Sequence, residues 1–103
     1  MIIRGGENVL PEEVEAVLYD HPDVLEAAVV GLPCEEWGER VAAAAVVRDG
    51  SAVSGDDLVA HARERLAPFK RPEFVHLAEQ LPRTSTGKLL RRDLVPLLEA
   101  AAR

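Results

Sequence analysis

Thiols are nearly missing from this chain of 103 residues, which has one cysteine, Cys34. A lone cysteine makes no internal disulfide and builds no metal site by itself, so the reducing cytoplasm is the expected setting and no metal site is expected. Long apolar runs are missing too. Nothing approaches the roughly 20 residues that cross a bilayer, and Met1 opens no signal-peptide pattern, so no membrane span is expected. Positive charge is scarce in the first part of the chain: residues 1–60 hold 3 basic and 13 acidic side chains, a net of −10. Residues 61–103 reverse this with 9 basic against 5 acidic, a net of +4. The overall charge of −6 disfavours extended binding to nucleic acid, whereas a positive patch near the C-terminus suits a compact anion such as a nucleotide phosphate. Internal repeats and low-complexity segments are absent. What is present, 48% hydrophobic residues, is ordinary for one globular domain with a modest core.

The stretch Pro82 to Leu94 places Lys88 after Gly87 in a small polar loop, ahead of an apolar, basic run. A glycine beside a lysine near a helix start suits a loop that delivers a cation to an anion. The phosphate-binding pattern G-x-x-x-x-G-K-[ST] fails here, because Pro82 stands at the first glycine and Leu89 follows the lysine. A self-contained nucleotide cradle of that kind is excluded.

In chain order, Met1 to Arg4 reads as a short strand, Gly5 to Asn8 as a tight turn and Val9-Leu10 as a returning strand. A domain rarely begins mid-strand, which points to a piece cut from a longer polypeptide. Pro11 with Glu12, Glu13 and Glu15 starts a helix whose apolar stripe (Val14, Val17, Leu18, His21) runs to about Asp20. His21-Pro22 ends it. Val24 to Leu32 is a strand. Glu39 to Arg48 is a second, and its apolar interior predicts cover on both faces. Ala42 to Ala45 suits a helix equally by propensity, but flanking valines and the Asp49-Gly50 turn favour a strand. Ser54 and Asp57 form a capping box for a helix carrying Leu58, Ala62 and Leu66, stopped at Ala67-Pro68. Phe74 to Leu77 reads as a third strand. A last helix carries Leu94, Leu97, Leu98 and Ala101, with Asp93 as expected N-cap and Pro96 in the first turn. The expected fold is a small compact α+β domain: a three-stranded sheet packed by about three helices, plus an N-terminal two-stranded hairpin.

Two motifs carry a resemblance. Gly5-Gly6-Glu7-Asn8-Val9-Leu10-Pro11-Glu12-Glu13-Val14-Glu15 resembles the glycine-turn motif that opens the C-terminal domain of adenylate-forming enzymes (acyl-CoA synthetases, peptide-synthetase adenylation domains and luciferases). Leu81 to Leu94 is similar to that family's last core motif, which holds its catalytic lysine. Trp37-Gly38-Glu39 and Phe69-Lys70-Arg71-Pro72 fall at matching places between them.

The resemblance implies that the chain, residues 1–103, is one domain, the C-terminal lid of an acyl-CoA synthetase. The large N-terminal adenylation domain, and with it the acyl pocket and most of the ATP site, lies outside it. The family's hinge residue would lie just before Met1. In the whole enzyme a carboxylate attacks ATP to give an acyl-adenylate and pyrophosphate, and the thiol of CoA then displaces AMP. Magnesium accompanies ATP and is held mainly by the other domain. Lys88 would be the catalytic lysine of the first step, in a phosphate loop formed by Thr84, Ser85, Thr86 and Gly87 that enters the cleft and withdraws. Gly5, Gly6 and Glu7 would serve the thioester step, with Trp37 lining the thiol's tunnel and Phe69 and Arg71 meeting the CoA nucleotide. Glu73 departs from the pattern, since a basic residue sometimes stands there. The fragment alone is expected to be inactive and to hold no tightly bound cofactor. The end of a peptide-synthetase adenylation domain, or a free-standing nucleotide- or partner-binding module, are the alternatives.

Overall fold

Period-two alternation along two long strands decides the architecture. The computed structural model describes residues 1–36 and 38–102. Strands β3 (Val24–Cys34) and β4 (Gly38–Val47) form an antiparallel ribbon, in register from Glu26↔Val46 to Cys34↔Gly38. One set of side chains (Ala27, Val29, Val41, Ala43, Ala45) faces α1 (Pro11–Tyr19) and α2 (Gly55–Arg63). The alternate set (Ala28, Val30, Leu32, Ala42, Ala44, Val46) faces α3 (Arg91–Ala101) through Leu94 and Leu98. The result is three layers, with helices on both faces of one sheet. The four alanines of β4 are fully buried, and their small side chains let helices approach the ribbon from both sides.

The fold class is the expected one, and the hairpin is joined to the sheet. Strands β1 (Ile2–Arg4) and β2 (Glu7–Val9) pair through Gly5-Gly6, whose φ values of 57° and 84° are what a tight two-residue turn demands. Glu7 and Asn8, expected in the turn, are strand residues opposite Arg4 and Ile3. One pair, Arg4↔Gly38, attaches β1 to β4, and β5 (Val75–Leu77) runs parallel on β4. Pairing therefore follows β2-β1-β4-β3, with β5 added at β4, in a five-stranded sheet.

Helix starts follow local chemistry where it is strong. Pro11 opens α1, and the Ser54–Asp57 box caps α2 with both reciprocal bonds, at 3.1 and 2.9 Å. Helix α2 ends at Arg63, and Leu66 is held by a further turn through the Ala62 carbonyl. The expected start of α3 is corrected. Leu90, not Asp93, is its N-cap, so Pro96 lies in the second turn, where the Arg92 carbonyl loses its helical partner. Both residues are exposed, so water can serve that carbonyl.

A carboxylate covers the outer edge of β3. Glu15 of α1, 8% exposed, accepts the Val29 N–H at 2.8 Å and a two-pronged grip from Arg91, the first residue of α3. Those bonds with Glu15 raise the Arg91 pKa against the opposing effect of burial. No helix among the described residues is long and apolar enough to cross a membrane.

Candidate functional site

The Lys88 stretch is a closed hairpin. Arg83 pairs with Leu89 across it. The Gly87 N–H donates to the Thr84 carbonyl at 2.9 Å and the Thr84 N–H to the Lys88 carbonyl at 2.8 Å. Gly87 takes φ 88°, the left-handed position that closes a three-residue loop. Two threonines stitch the inside: Thr84 Oγ1 accepts the Lys88 N–H at 3.0 Å and lies 3.0 Å from Thr86 Oγ1. Ser85, Thr86, Gly87 and Lys88 are exposed at the tip. Among the described residues the Lys88 ammonium has no hydrogen-bond or ion-pair partner.

Arg83 ties this hairpin to the sheet. It donates to Glu26 Oε1 of β3 through Nε at 3.0 Å and through Nη2, and to the Gly87 carbonyl through Nη1 at 2.9 Å.

The glycine turn sits at the far end of the same ribbon. Gly38 pairs with Arg4 on one side and with Cys34 on the other, and Glu39 Oε1 accepts the Ile3 N–H at 3.0 Å. Gly31 leaves room for that carboxylate, since a Cβ there would lie 2.6 Å from Glu39 Oε2. Glu26 and Cys34 are about 26 Å apart along β3, at about 3.3 Å per residue. The lysine hairpin and the glycine turn are thus anchored at opposite ends of one rigid element.

The remaining candidates gather at the glycine end. Phe69 belongs to a 3-10 turn over Pro68–Lys70. Arg4 Nη1 donates to the Pro68 and Phe69 carbonyls at 3.4 and 3.3 Å, and Lys70 pairs with Glu13 of α1 at 2.7 Å. Gly5, Glu7 and Phe69 line one open depression of about 330 Å³ together with Arg4 and Pro68. A neighbouring one of about 420 Å³ is lined by Arg4, Arg63, Arg71 and Glu73. Arg71 is steadied by the Leu66 carbonyl at 3.0 Å, whereas the exposed Arg63 is without a hydrogen bond or ion pair among the described residues. The departure at Glu73 is partly offset, because its carboxylate is turned to Arg40 at 3.3 Å. Trp37 lies outside the described residues. Arg4 and Arg63 escaped the sequence reading, since neither belongs to a motif by itself. Their signal is tertiary: one strand and one helix end converge on Arg71.

The model of the AMP-binding enzyme C-terminal domain matches residues 13–88. The chain belongs to that family. A feruloyl-CoA synthase of Amycolatopsis sp is 47% identical over 94 residues, 91% of this chain and 19% of that protein. The long-chain-fatty-acid–CoA ligase FadD13 of Mycobacterium tuberculosis is 52% identical over 94 residues, again 91% of this chain and 18% of that protein. Among solved structures, a Mycobacterium tuberculosis fatty acyl CoA synthetase superposes with a TM-score of 0.87 at 46% identity, covering 98% of this chain and 20% of that one. MatB from Rhodopseudomonas palustris does so at 0.90 and 33%, with the same coverage. The chain therefore spans about a fifth of the length of these relatives.

Proposed function

We propose that this family domain is the C-terminal lid of an ATP-dependent carboxylic acid–CoA ligase, working with an N-terminal adenylation domain of the same polypeptide. The observation that carries the reading is the separate anchorage of the two candidate motifs on the β3–β4 ribbon. Lys88 is carried by a hairpin tied to the Glu26 end of β3, and the Gly5–Glu7 turn by a strand paired at Gly38, so each motif has its own anchorage on the ribbon. They suit two poses and two half-reactions. In adenylate formation, the uncommitted ammonium of Lys88 offsets negative charge gathered between the carboxylate and the α-phosphate. A lysine fits because its charge is compact and sits on a flexible stem. The Thr84–Gly87 turn carries it into the cleft as a hydrogen-bonded unit. In thioester formation, Gly5, Gly6 and Glu7 face the thiol's path. Phe69 offers a ring to the nucleotide base of CoA, and Arg71, with Arg4 and Arg63 beside it, offers charge to the phosphates. ATP and CoA are substrates, and magnesium travels with ATP into the other domain.

CoA is favoured over a carrier-protein thiol because these relatives are CoA synthases and ligases, and because Arg4, Arg63 and Arg71 line one depression next to the one that Phe69 lines. The test is Lys88→Ala in the full-length polypeptide, with the half-reactions assayed separately. Adenylate formation is expected to fall by about 10²–10³-fold while thiol transfer from supplied adenylate survives. Equal loss of both, or of neither, would sink the assignment.

A further inference from the structure

We propose that Glu26 and Arg83 are positioning residues for Lys88, locking the peptide that carries it to the sheet. This rests on the reading of Lys88 as the adenylating lysine. The Gly87–Lys88 peptide is held at both polar groups. Its carbonyl accepts from Arg83 Nη1 at 2.9 Å, and its N–H donates to Thr84 Oγ1 at 3.0 Å. Arg83 is in turn fixed by two of its nitrogens on Glu26 Oε1. Glu26 stands on β3 opposite Val46, within the ribbon that helices cover on both faces. The chain of contacts therefore runs from a rigid strand, through one planar guanidinium, to the backbone of Lys88. Only a guanidinium has the fixed fork that reaches a carboxylate and a carbonyl together, so lysine is a partial substitute.

Magnitudes separate this role from simple stabilisation. The Arg83 and Glu26 side chains are 38% and 33% exposed, and an ion pair so open to water adds little to folding. Catalysis is more demanding, because displacement of a reacting group by about 1 Å can cost on the order of 10²-fold in rate. Loss of the lock should therefore appear in the chemistry of one half-reaction and barely in the melting temperature.

The experiment uses the full-length polypeptide bearing Glu26→Gln, Glu26→Asp, Arg83→Lys or Lys88→Ala. Pyrophosphate exchange reads adenylation, and supplied acyl-adenylate plus CoA reads thiol transfer. For Glu26→Gln, kcat of adenylation is expected to fall about tenfold, with KM for ATP and the rate of thiol transfer within about twofold of the parent. Glu26→Asp and Arg83→Lys should lie between. The proposal is overturned if Glu26→Gln keeps adenylation within about twofold while Lys88→Ala abolishes it, an outcome that leaves the role of Lys88 standing. It is also overturned if both half-reactions fall together, which marks general damage to the domain. Intact adenylation in Lys88→Ala removes the underlying reading, and the positioning role with it.

Discussion

Arg91 and Glu15 are joined by a two-pronged ion pair, Nη2 to Oε1 at 2.7 Å and Nε to Oε2 at 3.1 Å, that wraps the outer edge of β3. The same carboxylate accepts the Val29 N–H, which has no strand neighbour on that side. One contact thus links the helix after the glycine turn, the sheet, and the helix after the lysine hairpin.

Removing Arg91 leaves a largely buried carboxylate with a single backbone donor. Arg91→Ala is expected to destabilise the fold by about 1–3 kcal/mol in urea melts, toward the lower end because Arg91 is itself 37% exposed. Arg91→Lys should recover only part of this, as lysine cannot span both oxygens. The Arg91 pKa is raised, so its contribution is complete at neutral pH and is lost only as strong alkali passes the raised value. A stability that varied near neutrality in step with this pair would contradict that.

Gly5 and Gly6 have positive φ, yet an added Cβ at either would meet nothing within 4 Å. Their own domain needs the backbone conformation, not the empty space. Gly5→Asn, which tolerates φ near 57°, should therefore cost less than about 1 kcal/mol of stability. On the role proposed for this turn, Gly5→Asn in the full-length polypeptide should nevertheless slow thioester formation about tenfold and leave adenylation unchanged. Normal thioester formation would reduce these glycines to a turn requirement.

The phosphate contacts proposed for Arg71 and Arg63 predict a separable effect on CoA. Arg71→Ala and Arg63→Ala should each raise KM for CoA by about tenfold with kcat of adenylation unchanged, and added salt should weaken CoA binding less in either variant. The checks are steady-state kinetics and a salt series. An unchanged KM in Arg63→Ala would confine the phosphate contact to Arg71.

Gly55 is demanded by packing. A Cβ on this first residue of α2 would fall 2.1 Å from the Val75 carbonyl oxygen. Gly55→Ala is expected to push α2 off β5 and cost about 1–3 kcal/mol, although alanine is the better helix former. A neutral or stabilising result in thermal unfolding would contradict this geometry.

Sequence alone determined what depends on neighbours along the chain. Pro11, the Ser54–Asp57 box and the Gly5-Gly6 turn act over a few residues, and the apolar runs of β3 and β4 already predicted strands, that of β4 covered on both faces. The two terminal motifs were legible for the same reason, each being a contiguous run of residues. Tertiary structure decided the rest, because it depends on groups far apart in the chain. The start of α3 moved to Arg91, whose partner Glu15 lies on another helix and cannot be read from local capping. The hairpin's place in the sheet rests on Gly38 and Glu39, and the gathering of Arg4, Arg63 and Arg71 on three separate elements. The anchoring of the lysine hairpin at Glu26 and of the glycine turn at Gly38 is likewise a tertiary outcome, since each contact joins residues more than thirty positions apart.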